Sequence, residues 1–234
     1  MAISSAALAY KRSALLTATK VTVKPPSEEV LRARDSFQDF CILMGKMPAK
    51  HMLEWHNELC TGKDSECLLG ISGPNTSILA PRGSAKSTVL GLFAAWMIGR
   101  HAAAKKMLRI LYIAYMVDIS RAKSATIKGI LASAKYREIF PMVRLSKIKR
   151  SDEYWSIDYE FAGIDTAGEE AFTIACGGLK GAITSKRSQL VLIDDPIKSA
   201  ASINNPDIRR EMEQTWSNVI APTMFQGARA ICLG

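Results

Sequence analysis

SILAPRGSAKSTVLG, residues 77–91, reads as a short apolar strand, a tight loop and the start of a helix. The loop ends in Lys86-Ser87, as a phosphate-binding loop does. Such a loop curls so that several backbone N–H groups face phosphate oxygens, sends a lysine to the outer phosphates and holds magnesium with a hydroxyl. Lys86 and Ser87 supply the last two. Alignment with G-x-x-x-x-G-K-[ST] puts Ala80 and Ala85 where glycines normally stand. Alanine at such a position costs about 1 kcal/mol, and less where the backbone stays in an allowed region. Gly83 leaves one flexible point, and Pro81 removes a donor but stiffens the turn. The candidate nucleotide-binding residues are therefore Pro81, Arg82, Gly83, Ser84, Ala85, Lys86, Ser87 and Thr88. The competing reading is an ordinary strand-turn-helix junction.

About a hundred residues on, LVLIDD (190–195) is four apolar residues followed by two acids. A buried strand of this form delivers carboxylates to the C-terminal edge of a sheet, where such sites lie. In this Walker B reading Asp194 holds Mg²⁺ with Ser87, directly or through water. Asp195 takes the place where many ATPases have the glutamate that orients attacking water. Taken alone, Asp-Asp-Pro is a turn or a helix cap; together with a Lys-Ser loop it indicates a nucleoside triphosphatase site. Arg82, inside the loop, is placed to neutralise charge developing on the γ-phosphate, and Lys86 shares that role. Arg187, just ahead of the acidic strand, is a candidate to act on a neighbouring subunit's nucleotide. Lys186 is its rival, and a surface role is open for both. In KHMLEWHNE (50–58), Trp55 is a candidate to stack on a base and His56 to make a polar contact, with plain helix packing as the alternative.

Around these motifs strands and helices alternate. Helices are expected over 27–45, with Ser27 as N-cap, Glu28 and Glu29 in the first turn and Gly45 at the end, and over 48–62. Strands are expected at 76–80, 109–115, 188–196 and 228–234, with helices over 85–100, 117–140 and 205–222. YWSIDYEF (154–161) and EAFTIAC (170–176) alternate as a hairpin added to this plan. The order implies an α/β protein with a mainly parallel sheet and helices on both faces.

The composition of the 234 residues, 48% hydrophobic and 23% charged, fits one sizeable core and excludes a disordered or fibrous chain. Net charge is +9, unevenly spread: thirteen basic residues lie between Arg100 and Arg150 against two acids, Asp118 and Glu138. Such a segment suits a polyanion, although charge alone does not separate nucleic acid from an anionic membrane or simple solubility. Five cysteines form no CxxC pair and no metal-ligand spacing, and their odd count without a secretory signal argues for reduced thiols in a cytoplasm. Residues 1–26 read as a loose arm whose short apolar run is interrupted by Lys11 and Arg12, and no apolar span is long enough for a transmembrane helix.

ILAPRGSAKST, ILYIAYMVDISRAKSATIKGIL with YREIFP, GGLKGAITSKRSQLVLIDDPIK and ARAICLG together resemble the ATPase domain of a tailed-bacteriophage terminase large subunit, from about residue 40 onward. The resemblance implies a P-loop NTPase fold of the additional-strand type, with residues 1–45 as an N-terminal arm and lid-like helix and 46–234 as the ATPase domain. It implies ATP and Mg²⁺ as cofactors, and hydrolysis coupled to translocation of double-stranded DNA into a procapsid in the host cell cytoplasm. The implied partners are DNA, a portal protein, a small terminase subunit and further copies in a ring, with a monomer in isolation as the alternative; no membrane is involved. The family's Walker A lysine and hydroxyl fall on Lys86 and Ser87, its loop arginine on Arg82 and its Walker B aspartate on Asp194. Two departures stand out. Asp195 is shorter than the family's glutamate, so Glu211 on the following helix is an alternative carboxylate. The family's C-terminal nuclease domain has no counterpart, so the chain is expected to be an isolated ATPase portion without nuclease activity. Rival readings are another P-loop DNA translocase or helicase-like ATPase, and a non-hydrolysing scaffold that binds DNA or portal.

Overall fold

The computed structural model describes residues 25–59, 73–179, 186–197 and 204–234. Most of the arm expected over 1–26, together with Cys60, Gly62 and Cys67, lies outside the described residues. In chain order the elements are α1 Glu28–Asp35, α2 Phe37–Leu43, α3 Lys50–Leu59, β1 Thr76–Ile78, α4 Lys86–Ala103, β2 Ile110–Ala114, α5 Val117–Ala132 and α6 Ala134–Ile139. They continue with β3 Leu145–Arg150, β4 Tyr154–Ile157, α7 Tyr159–Ala162, β5 Ile174–Gly178, β6 Ser188–Asp194 and α8 Pro206–Thr215. A π-helical turn (Trp216–Ile220) and a 3₁₀ turn (Ala221–Thr223) lead into β7 Met224–Leu233.

The strands form one seven-stranded sheet in the order β1-β7-β6-β2-β5-β4-β3. The five strands from β1 to β5 in that order run parallel; β4 and β3 are antiparallel additions at one edge. β7 is inserted between the loop strand β1 and the acidic strand β6, which is the additional-strand arrangement of a P-loop NTPase. Registers Ile78↔Leu233, Asp194↔Leu233, Ala114↔Asp194 and Ala114↔Gly178 align the C-terminal ends of five strands in one row. That row is the sheet edge where crossover loops leave room for a ligand.

The alternation of β2 assigns the two faces. Ile110 and Tyr112 join the larger core with α1, α2, α4 and α5, while Leu111 and Ile113 join a smaller core with Ile220 and Trp216 of the π-helical turn. Helix α4 buries thirteen of its 18 residues, which explains its nearly unbroken apolar sequence. Residues 28–43, read as arm and lid-like helix, place Ala33, Phe37, Phe40 and Cys41 in the larger core, and the Trp96 indole donates to Ala33 O at 3.1 Å.

Two expected helices are each divided. Ser36 ends α1 and caps α2 by accepting from Asp39 N, and Ser133 separates α5 from α6 by accepting from Tyr136 N. The expected hairpin forms, with Trp155 opposite Ile174, but its first arm turns into α7 at Tyr159, N-capped by Asp158. Its second arm is not an appendage, since β5 pairs with β2 within the parallel sheet. LSKIKR (145–150), hidden in the basic segment, is a strand at the sheet's edge. Edge strands rich in lysine discourage pairing with other chains.

Candidate functional site

The loop follows β1 at the aligned edge. Gly234 N donates to Ile78 O at 3.0 Å and Ala80 N to Gly234 O at 2.8 Å, so β7 holds the loop's first residues. The Ser84 hydroxyl folds back onto Pro81 O at 2.7 Å. Gly83 takes φ 84° and Ala85 takes φ 61°, ψ 24° just before α4. Of the two substituted glycines, only Ala85 therefore bears left-handed strain. No side chain caps α4, so its first N–H groups are left for an anion. Ala85→Gly should stabilise the protein by about 0.5–1 kcal/mol. A rise in the urea midpoint at unchanged m-value would show this, and a lower midpoint would contradict it.

Lys86 arches over the loop, its Nζ 2.6 Å from Ala80 O. Ser87 Oγ donates to Asp194 Oδ1 at 2.9 Å, joining residues 107 positions apart. Asp194 is buried, 1% exposed, and its other oxygen accepts from Tyr112 OH at 3.0 Å. Burial, and then the Asp194 charge, push the Tyr112 phenol well above its usual range, so it stays protonated and donates. A carboxylate and a hydroxyl are hard oxygen donors of the kind magnesium takes. Among the described residues no cluster of three His, Cys, Asp or Glu offers a rival metal site.

Asp195 leaves the ladder with φ 47°, held by its N–H on Leu233 O at 2.8 Å. A non-glycine residue in that region is strained, and such strain concentrates at functional sites. Arg82 is exposed on the loop, beside Gly83. Glu211 is exposed on α8, a helix that buries no residue. Lys186 is engaged by Glu170, and Arg187 lies over the Phe225 ring at 5.7 Å. Arg187 precedes β6 and Asp194 ends it, so the two lie about 20 Å apart along the strand.

His56 is not available to a base. It is 5% exposed, packs on Phe37 at 4.4 Å between ring centres, and its Nε2 lies 4.0 Å from Cys41 Sγ. Its neighbour Trp55 packs partly against the same core. One turn earlier His51 is exposed, with Nε2 3.4 Å from Ser84 O and its ring edge-on to Trp55 at 5.0 Å. The i, i+4 spacing of His51 and Trp55 was the signal for this pair, and the sequence reading passed over it. Tyr112 was also missed, because nothing local in an apolar strand marks the one residue whose hydroxyl meets a distant carboxylate.

Beside the loop, α4 and α5 enclose a cavity of about 300 Å³ into which Ser87, Thr88, Lys46, Lys123 and Thr126 face. The basic segment is less available than its composition suggests. Arg109 pairs with Glu169, Arg121 with Asp118 and Glu153, and Lys128 with Asp152. Lys105 and Lys149 donate to backbone carbonyls of Ala162 and Ala171. Lys106, Lys135, Arg137, Lys147 and Arg150 stay exposed.

The strand order, with Lys86, Ser87 and Asp194 at one sheet edge, is that of an α/β fold of the P-loop class. No protein-family model matches the chain, and no curated protein matches it. Among solved structures, the large terminase ATPase domain of Thermus phage P74-26 superposes at TM-score 0.49 and 15% identity, over 83% of this chain and 67% of that one. The class rests on the strand order and the site rather than on that loose superposition. No helix among the described residues is long and apolar enough to cross a membrane.

Proposed function

We propose that the chain is the ATP-hydrolysing motor domain of a terminase, which drives double-stranded DNA into a procapsid. The observation that carries this reading is the Ser87–Asp194 hydrogen bond beneath the Lys86 loop. Lys86 and the N–H groups at the start of α4 hold the β- and γ-phosphates, and Thr88 borders them. Ser87 and Asp194 would hold Mg²⁺, which would supply charge neutralisation for the phosphates. Asp195 orients the attacking water, with Glu211 as the alternative acid, and Arg82 offsets charge on the transferring phosphoryl group. Little covalent chemistry is asked of the protein; positioning and electrostatics suffice. The exposed bases Lys106, Lys135, Arg137, Lys147 and Arg150 face DNA phosphates or the portal. Further copies in a ring and a small subunit complete the machine in the host cytoplasm.

A scaffold that binds DNA without hydrolysis is favoured by one observation, the strained alanine at position 85. The two readings separate in a phosphate-release assay with and without duplex DNA, run across a salt series. The motor reading expects Mg-ATP turnover that rises with DNA, no strand separation, and DNA affinity that falls steeply with salt. Absence of turnover, with DNA binding indifferent to nucleotide and to Lys86→Ala, would replace the motor by the scaffold. Strand separation would point instead to a helicase-like ATPase.

A further inference from the structure

The Asp194 carboxylate has two donors, and the nucleotide reading uses only one of them. Ser87 Oγ meets Oδ1 at 2.9 Å and Tyr112 OH meets Oδ2 at 3.0 Å. Tyr112 lies on β2, paired with Leu192 of the acidic strand, and its side chain is fully buried. Its ring is locked in the larger core, so the hydroxyl position is fixed by packing rather than by the ligand.

The terminal torsion of an aspartate is broad, so a second donor narrows the orientation of the carboxylate plane that a single hydrogen bond leaves loosely set. We propose that Tyr112 is a positioning residue for the divalent cation: by holding Oδ2, it fixes the carboxylate plane so that Oδ1, beside Ser87 Oγ, is the oxygen presented to Mg²⁺. The proposal rests on the nucleotide-site reading above. Tyr112 touches neither nucleotide nor metal. Its effect reaches the site through Asp194, as outer partners of metal ligands do elsewhere at a cost of about 10–100-fold in metal affinity when removed. A phenol that merely satisfies itself in the core would affect stability and leave metal binding alone.

The test is binding of a fluorescent, non-hydrolysable ATP analogue to the full chain, in EDTA and across a Mg²⁺ titration, for the parent and Tyr112→Phe. Thermal unfolding of both is followed alongside. The expected result is affinity in EDTA within about twofold of the parent and a Mg²⁺ midpoint raised about 10-fold. A Mg²⁺ midpoint equal to the parent's overturns the proposal, whether or not the melting temperature falls. If the phenylalanine variant does not fold, 3-fluorotyrosine at position 112 keeps the shape and donates more strongly. The midpoint should then fall below the parent's, and an unchanged midpoint overturns the proposal. Failure of the parent to bind the analogue at any Mg²⁺ concentration overturns the underlying nucleotide reading and this proposal with it. Binding in the parent with no shift in the variants overturns this proposal alone.

Discussion

Asp194→Ala is expected to lower phosphate release from Mg-ATP by about 10³-fold, the scale seen when one preorganised electrostatic group is removed from a transition state. The carboxylate is the only acid in direct contact with the Ser87 hydroxyl among the described hydrogen bonds, and it sits where β6 ends at the sheet edge. Its loss removes one of two proposed magnesium ligands and leaves the Ser87 and Tyr112 hydroxyls without their common acceptor. Asp194→Asn separates charge from shape, because the amide oxygen can still accept one of these bonds. That variant should keep the parent's circular dichroism and still lose about 10²-fold or more in rate. Turnover of the asparagine variant near the parent's rate would mean that magnesium is held elsewhere.

Arg229→Met should destabilise the fold by about 3–5 kcal/mol, because several buried oxygen acceptors lose their donor at about 1–3 kcal/mol each. Arg229 is 0% exposed on β7. Its Nε donates to Pro74 O at 2.9 Å, Nη1 to Leu59 O at 2.9 Å, and Nη2 to Glu58 O at 2.8 Å and Thr76 Oγ1 at 2.7 Å. One guanidinium thus ties the C-terminal carbonyls of α3, where a cation also suits the helix dipole, to the segment entering β1. β1 has three residues and carries the loop, so the same substitution should weaken nucleotide binding without touching the site. Methionine fills much of the volume but leaves buried carbonyls without donors. Urea unfolding gives the test: a drop of less than about 1 kcal/mol, within the range of a single neutral hydrogen bond, would show that water replaces the arginine.

The loop, the acidic strand and the large buried helix were legible because each is a contiguous pattern. Lys86-Ser87 after an apolar strand and LVLIDD need no knowledge of pairing. What the sequence hid depends on partners distant in the chain. Arg229 reads as an interruption of ARAICLG, and only the fold shows that it caps α3. Tyr112 reads as one apolar strand residue among several, and His56 as a polar group free to bind. The strand at 145–150 was concealed by the lysines that suit it to an edge. Ser36 and Ser133 look like tolerated helix residues, yet each caps a new helix. The basic count between 100 and 150 overstated the exposed charge, since several of those side chains pair with acids such as Glu153 and Glu169, which lie outside the segment. The insertion of β7 between β1 and β6 came from the family resemblance, because no local pattern encodes which strands pair.

The most direct test of the nucleotide site is calorimetric titration of Mg-ATP into the parent and into Lys86→Ala. Lys86 spans the loop through its hydrogen bonds to Ala80 O and Pro81 O and is not a member of either buried hydrophobic cluster, so its removal should leave the fold intact. The account predicts saturable, magnesium-dependent binding to the parent that is lost in Lys86→Ala. No binding to the parent, or equal binding to both, would contradict it.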